Sequence, residues 1–430
     1  MKKIFGALIL LLALSINAKA QTADAFSAHF TDETLRLDYS LEGNAHHQRL
    51  ALAEMLRFDG WAGRTVHLDS VPLHGNARIT LSDPTTGQTL YATTFSTLFQ
   101  EWLQTEEADA DADRAFECVC LVPMPKDTVV ATLTLFDSRQ RVQATMKHVV
   151  VPTDILIRRL PTRDLPPHRV LRQSAVKNPI DVVIVAEGYT TAEAEKFYSR
   201  AAVADKEIFS YEPFRTFANY FKVTAIALPS KDSGVSVPLQ NEWRETALSS
   251  NFSTFYSDRY LTTNHLRDLH NQIAGIPYEH IIVLANTDTY GGGGIYNAYT
   301  LTTADHSMFR PVVVHEFGHS FAALADEYGY DEYEPTYFPD MEPWEQNITT
   351  LHDFSQKWQD LLPAGTPVPT PQTDDLSAIG VYEGGGNQKK GVYHAFPDCR
   401  MRTNVATEFC AVCQRALTRL IEFYISNGEK

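Results

Sequence analysis

Residues 312–329 read VVVHEFGHSFAALADEYG. His315-Glu316-Phe317-Gly318-His319 is an H-E-x-x-H. Helix residues four apart share one face, about a turn apart. His315 and His319 can therefore offer two imidazole nitrogens to one tetrahedral zinc ion. Glu316 stands beside that position. A carboxylate there can take a proton from water and pass it to a leaving amine. Three fixed positions also arise by chance, and the plain alternative is two histidines on a helix surface. Val312, Val313, Val314, Phe317, Phe321 and Leu324 mark the helix as largely buried, which favours the zinc reading.

Two imidazoles do not complete a zinc site. In the extended motif H-E-x-x-H-x-x-G-x-x-H the third ligand lies three residues past a glycine. Ala325 occupies that position here, and it cannot bind metal. On a continuous helix Asp326 would return to the azimuth of His315, but about 16 Å further along the axis at ~1.5 Å per residue. Either the helix stops after His319 and the chain folds back, or a later segment supplies the ligand. The carboxylates on offer are Asp326 and Glu327, then Asp331, Glu332, Glu334, Asp340, Glu342 and Glu345. No histidine occurs between His319 and His352, so an oxygen ligand is expected. Spacing does not choose among them.

Other residues carry weaker expectations. Gly291–Gly294 would let a peptide backbone approach and pair with an edge strand at Ile295–Thr300. Tyr393 could polarise a scissile carbonyl or hydrogen-bond an oxyanion; the alternative is a packed tyrosine. His394 and His306 have no spacing argument. Structural calcium is considered for the acidic loop 106–113 and for the acidic, aromatic loop 330–344. Glu187-Gly188-Tyr189 follows a strand but suggests no role. Among the five cysteines, Cys118 and Cys120 lie on one face of a strand and are not expected to pair. Cys410-x-x-Cys413 is compatible with zinc or redox chemistry. The export signal described below favours a disulfide from Cys399 to Cys410 or Cys413.

The elements that must position these residues follow from patterning. Residues 1–20 have a basic start at Lys2-Lys3, a short apolar run and Ala18-Lys19-Ala20, as in a secretory signal cleaved before Gln21. A secreted or periplasmic protein is expected, with no later membrane span. The chain of 430 residues is 44% hydrophobic with a formal net charge of −16, which argues against nucleic acid as a partner. Segments 34–41, 77–83, 128–137 and 144–151 alternate apolar and polar residues between turn signals. They predict an N-terminal antiparallel β-sandwich over 21–160. Residues 161–178 read as a Pro- and Arg-rich linker. From 179 to 430 the order changes to strand 180–189, helix 192–209, strand 221–228, helix 265–274 and strand 280–286. The pattern predicts an α/β domain. The H-E-x-x-H helix starts near Met308 and a final helix spans 409–424. The fold class is thus α+β with two domains.

HEFGHSFAALADEY, together with VVIVAEGYT (182–190), CRMR (399–402) and FCAVC (409–413), resembles the immunoglobulin-A peptidase family of metzincin-like zinc peptidases. The likeness runs over roughly 178–424, and the β-rich N-terminal region resembles the accessory domain of bacterial members. The resemblance implies a zinc metallopeptidase with His315 and His319 as ligands and Glu316 as general base. It implies Asp326 as third ligand, with Glu327 the runner-up, and Met401 in a methionine turn beneath the metal. The partner would be a protein or peptide, immunoglobulin A or another host or dietary glycoprotein. The rivals are a non-catalytic secreted binding protein with a structural metal site and a cell-wall peptide amidase.

Overall fold

The computed structural model of the chain describes residues 23–110, 112–160, 164–330 and 336–425. The expected signal peptide and its cleavage site lie outside the described residues, as do Asp331, Glu332 and Glu334. The fold is α+β, with several sheets, few helices and a β-rich N-terminal part.

That part is built from β1 (Phe30–Gly43), β2 (Gln48–Asp59), β3 (Ala77–Ser82), β4 (Thr89–Phe95), β5 (Arg114–Pro125), β6 (Val129–Phe136), β7 (Val142–Val150) and β8 (Ile157–Arg159). They form two four-stranded sheets, ordered β5-β1-β2-β8 and β4-β3-β6-β7. All pairings are antiparallel except β2 with β8. The period-two pattern works as strand geometry requires. Leu35, Leu37, Tyr39 and Leu41 of β1 share one core with Ile79 and Leu81 of β3 and with Leu133 and Leu135 of β6. The other face of β1 is also covered. Arg36 and Asp38 are buried there as a bidentate pair at 2.7 Å. Arg36 Nη1 also donates to Asn271 Oδ1 at 2.8 Å, tying β1 to the helix Leu266–Ile273 of the C-terminal half.

The second half is organised by one six-stranded sheet. Its strands are β9 (His168–Arg172), β10 (Ile180–Glu187), β11 (Phe221–Ile226), β12 (His280–Ala285), β13 (Gly292–Ile295) and β14 (Tyr299–Thr303). The order is β13-β14-β12-β10-β11-β9. The inner four strands are parallel, and the two edges run antiparallel. Every residue of β10 and β12 is buried, which fits a parallel sheet covered on both faces. Val183, Val185, Ile281 and Val283 join the core of the N-terminal sheets. Val182, Ile184, Ile282 and Leu284 face the helices Ala194–Ile208, Phe309–Ala322 and Ala411–Ile425.

Two expectations need correction. The linker 161–178 is not structureless, because His168–Arg172 forms the edge strand β9. Its arginines hid the strand pattern; Arg172 pairs with Asp205 at 2.9 Å and Arg169 pairs with Glu195 on the helix Ala194–Ile208. The edge strand foreseen at Ile295–Thr300 is instead β13, while β14 lies inside the sheet. A small sheet completes the chain: β15 (Gly329–Tyr330), β16 (Ile348–Thr349), β17 (Tyr382–Gly385) and β18 (Asn387–His394), with β18 pairing to each of the others. Among the described residues no helix is long and apolar enough to cross a membrane.

Candidate active site

The helix Phe309–Ala322 ends at Ala323, which takes a left-handed conformation (φ 50°, ψ 35°). Ala323 N donates to His319 O at 2.8 Å and Leu324 N to Gly318 O at 3.2 Å. The first is the bond of an αL helix cap, from the left-handed residue to the carbonyl four residues before it. A non-glycine residue in this region costs about 1–2 kcal/mol. The chain then turns back over the helix. Asn347 secures the returning segment from both sides: it accepts from Ala325 N and donates to Ala325 O, each at 2.8 Å. The left-handed residue falls one position later than the glycine of the extended motif. The residue brought back to the histidines is also one later, Asp326 in place of Ala325.

His315, His319 and Asp326 meet at one point. Nε2 of His315 and Nε2 of His319 are 3.0 Å apart, and Asp326 Oδ1 lies 3.1 Å and 3.3 Å from them. Ligands about 2.0–2.1 Å from a tetrahedral zinc are separated by about 3.3 Å, so the three atoms fit one ion. The outer nitrogens support this. His315 Nδ1 lies 2.9 Å from Arg400 O, and His319 Nδ1 contacts Leu324 O. Each ring donates outward to a carbonyl and turns Nε2 inward, the arrangement that prepares imidazole for a metal. Asp326 Oδ1 is buried and receives no hydrogen bond. Three electron-rich atoms at these distances require a positive charge between them, either a proton or a metal ion.

Without a metal that charge is a proton. Burial would lower His319, but Asp326 outweighs it and raises the ring to about 9. Burial would likewise raise Asp326, yet His319 and His315 hold its carboxyl well below the usual carboxylate range. Burial pushes Glu316 up, against the pull of the two histidines.

The surroundings are shaped by small residues. A Cβ on Gly294 would lie 2.3 Å from Glu316 O, and one on Gly292 3.1 Å from Glu316 Oε1. The glycines thus let edge strand β13 lie directly against the helix. Beneath the helix, Met401 is fully buried, and a Cβ on Gly318 would lie 2.8 Å from its sulfur. Above is a cleft of about 1210 Å³ walled by both halves of the chain. Tyr328, two residues past Asp326, lines it, and burial and the neighbouring Asp326 carboxylate push its hydroxyl well above the usual tyrosine range. Glu101 reaches it from the N-terminal part and accepts from the Tyr260 hydroxyl. Burial pushes Glu101 up to about 7. Sequence reasoning missed both. Tyr328 could have been noticed beside Asp326, whereas nothing in the local sequence of Glu101 places it near Glu316.

Several candidates fall elsewhere. Glu327 points away from the histidines toward Cys399, Cys410 and Cys413. The expected disulfide among these cysteines is absent: all five cysteines are free, and Cys399 Sγ and Cys413 Sγ are 3.8 Å apart. Cys118 and Cys120 share a face with their sulfurs 4.0 Å apart, unbonded. Tyr393 sits in β18 opposite Glu383 and Thr349 and does not line the cleft. His394 Nδ1 donates to Gly384 O inside that sheet, and His306 packs on Tyr290. Among the described residues neither calcium candidate gathers three acidic ligands. In the first loop Asp113 sits 3.2 Å from His47, and in the second Asp340 pairs with Arg139 at 3.0 Å. Glu187 has an internal task. It accepts from Thr246 Oγ1, Leu248 N, Ser250 N and Ser250 Oγ at 2.6–2.9 Å and so shapes the 246–250 loop.

No curated protein matches the chain. Residues 25–147 match the family model described as Peptidase M64 N-terminus. Residues 170–378 and 376–421 match the model described as IgA Peptidase M64. Together these cover most of the chain, site included, and the chain belongs to the IgA peptidase M64 family.

Proposed function

We propose that the chain is a zinc-dependent endopeptidase, with His315, His319 and Asp326 as the metal ligands. The observation that carries this reading is the 3.0–3.3 Å triangle of Nε2, Nε2 and Oδ1 in the wall of a cleft, with Glu316 beside it. When bound there, zinc would polarise a peptide carbonyl and make water acidic enough to attack it near neutral pH. Glu316 accepts the proton of the attacking water and returns it to the amine nitrogen that leaves. Arg400 O and Leu324 O hold the two rings in their metal-binding tautomer. Tyr328 lines the cleft beside Asp326. Glu101, Tyr260 and the residues around them form the wall opposite Glu316 and contact the substrate chain.

In this reading 21–160 is an accessory β-sandwich and 179–430 a metzincin-like catalytic domain. Residues 1–20 direct export to the periplasm or beyond. Immunoglobulin A and other host or dietary glycoproteins are the substrates to try first. The test is proteolysis of an intact, unfolded protein by residues 21–430. Cleavage that stops on chelation and returns with zinc supports the reading. Cleavage of muropeptides alone would favour the amidase, and binding without any cleavage the non-catalytic rival.

A further inference from the structure

Behind the site lies a second cluster that the catalytic reading does not use. Glu327, Cys399, Cys410 and Cys413 are all buried, and one ligand atom from each lies within 4.8 Å of the others. We propose that these four residues form a second, structural metal site, a Cys3Glu centre that takes zinc and holds the catalytic ligands in place.

The distances favour a metal over a disulfide. Ligands about 2.3 Å from a tetrahedral zinc place two sulfurs about 3.8 Å apart. Cys399 Sγ and Cys413 Sγ are 3.8 Å apart. Glu327 Oε1 is 3.0 Å from Cys413 Sγ and 4.0 Å from Cys410 Sγ; these bracket the expected sulfur–oxygen edge of about 3.5 Å. The set is closed, with four protein ligands and no open position, as structural zinc sites are. A disulfide would join two of the cysteines and leave the third facing a buried carboxylate. Glu327 is 0% exposed, Oε1 accepts from Asn347 Nδ2 at 3.0 Å, and Oε2 has no hydrogen-bond partner. A carboxylate so placed is costly unless a cation meets it. Cys410 and Cys413 stand at the start of the helix Ala411–Ile425, where the helix dipole favours thiolate. Three thiolates and a carboxylate around Zn2+ leave a charge of −2. Part of it is offset by hydrogen-bond donors: Asn347 Nδ2 to Glu327 Oε1 at 3.0 Å and Cys410 N to Cys399 Sγ at 3.2 Å.

The connections of this centre to the active site are short. Cys399 precedes Arg400, whose carbonyl accepts from His315 Nδ1, and Met401, whose carbonyl accepts from Glu327 N at 2.8 Å. Glu327 follows Asp326. One metal would fix the 399–401 turn and the 326–327 segment relative to each other. Binding releases the thiol protons to solvent and involves no redox step.

The experiment uses residues 21–430 carrying His315→Ala and His319→Ala, so its outcome does not depend on the catalytic proposal. Metal analysis of the folded variant should find one zinc per chain. Replacement by Co2+ should give a thiolate-to-cobalt charge-transfer band, which a Glu327→Gln change shifts and a Cys410→Ser change shifts or removes. After denaturation in chelator, all three cysteines should react with iodoacetamide without prior reduction. A folded variant without bound metal, a cobalt spectrum lacking thiolate character, or a peptide pair disulfide-bonded through Cys399, Cys410 or Cys413 would overturn the proposal.

Discussion

His319 Nε2 and Asp326 Oδ1 are 3.3 Å apart although seven positions separate the residues in the chain. Ala323 makes this possible by ending the helix in a left-handed residue. Asp326→Ala should therefore weaken zinc binding at this site by on the order of 100-fold or more, exceeding the ~10–100-fold typical of outer-shell partners. Competition with a chromophoric chelator measures it. Unchanged affinity would remove Asp326 from the ligand set.

Ala323 carries strain that glycine would not. Ala323→Gly should stabilise the chain by roughly 1 kcal/mol, the lower end of the left-handed cost. Ala323→Val should destabilise it and weaken zinc binding, because the return of Asp326 depends on that turn. Denaturant midpoints of the metal-free proteins compare the three.

The metal-free protein should show a distinct pH dependence. His319 is raised from 6.5 to about 9, so its contribution is full below 6.5 and is lost as pH rises through 9. Asp326 is depressed below 3.8, so its contribution is present above 3.8 and lost as pH falls below it. The pair contributes most between 3.8 and 6.5. Above 6.5 the metal-free melting temperature should fall relative to that of a His319→Ala chain. With zinc bound the slope reverses, since protons compete with the metal for the same nitrogens. Melting scans with and without chelator read both.

Glu101 places a carboxyl that titrates near 7 in the cleft wall, where it repels Glu316. Glu101→Gln removes that repulsion and should move the acid limb of kcat/KM to lower pH, because Glu316 then ionises more easily. A profile that keeps its acid limb would show that the two carboxylates do not interact in the working enzyme.

The H-E-x-x-H helix and the strands β10, β11 and β12 were legible in the sequence because their apolar runs are long and uninterrupted. Asp326 was not fixed by spacing. The residue that turns the chain is an alanine, which gives no turn signal, and only the family likeness singled out the acid. The strand at His168–Arg172 was hidden because its arginines serve ion pairs to a helix rather than an alternating core. The expected export signal made a disulfide the reading of Cys399, Cys410 and Cys413, whereas their sulfurs converge on Glu327, whose neighbourhood depends on tertiary folding. Glu101 faces Glu316 through packing of the two halves, which no local pattern records.

The most direct test of the central claim is a digest of a proteome-derived peptide library by zinc-loaded residues 21–430, with Glu316→Gln in parallel and new termini read by mass spectrometry. The account predicts cuts by the unmodified chain, a loss on the order of 1000-fold or more in Glu316→Gln, and equal zinc content in both. Equal cutting by the two proteins would contradict the role of Glu316, and no cutting of peptides or of intact glycoproteins by the zinc-loaded chain would contradict the peptidase itself.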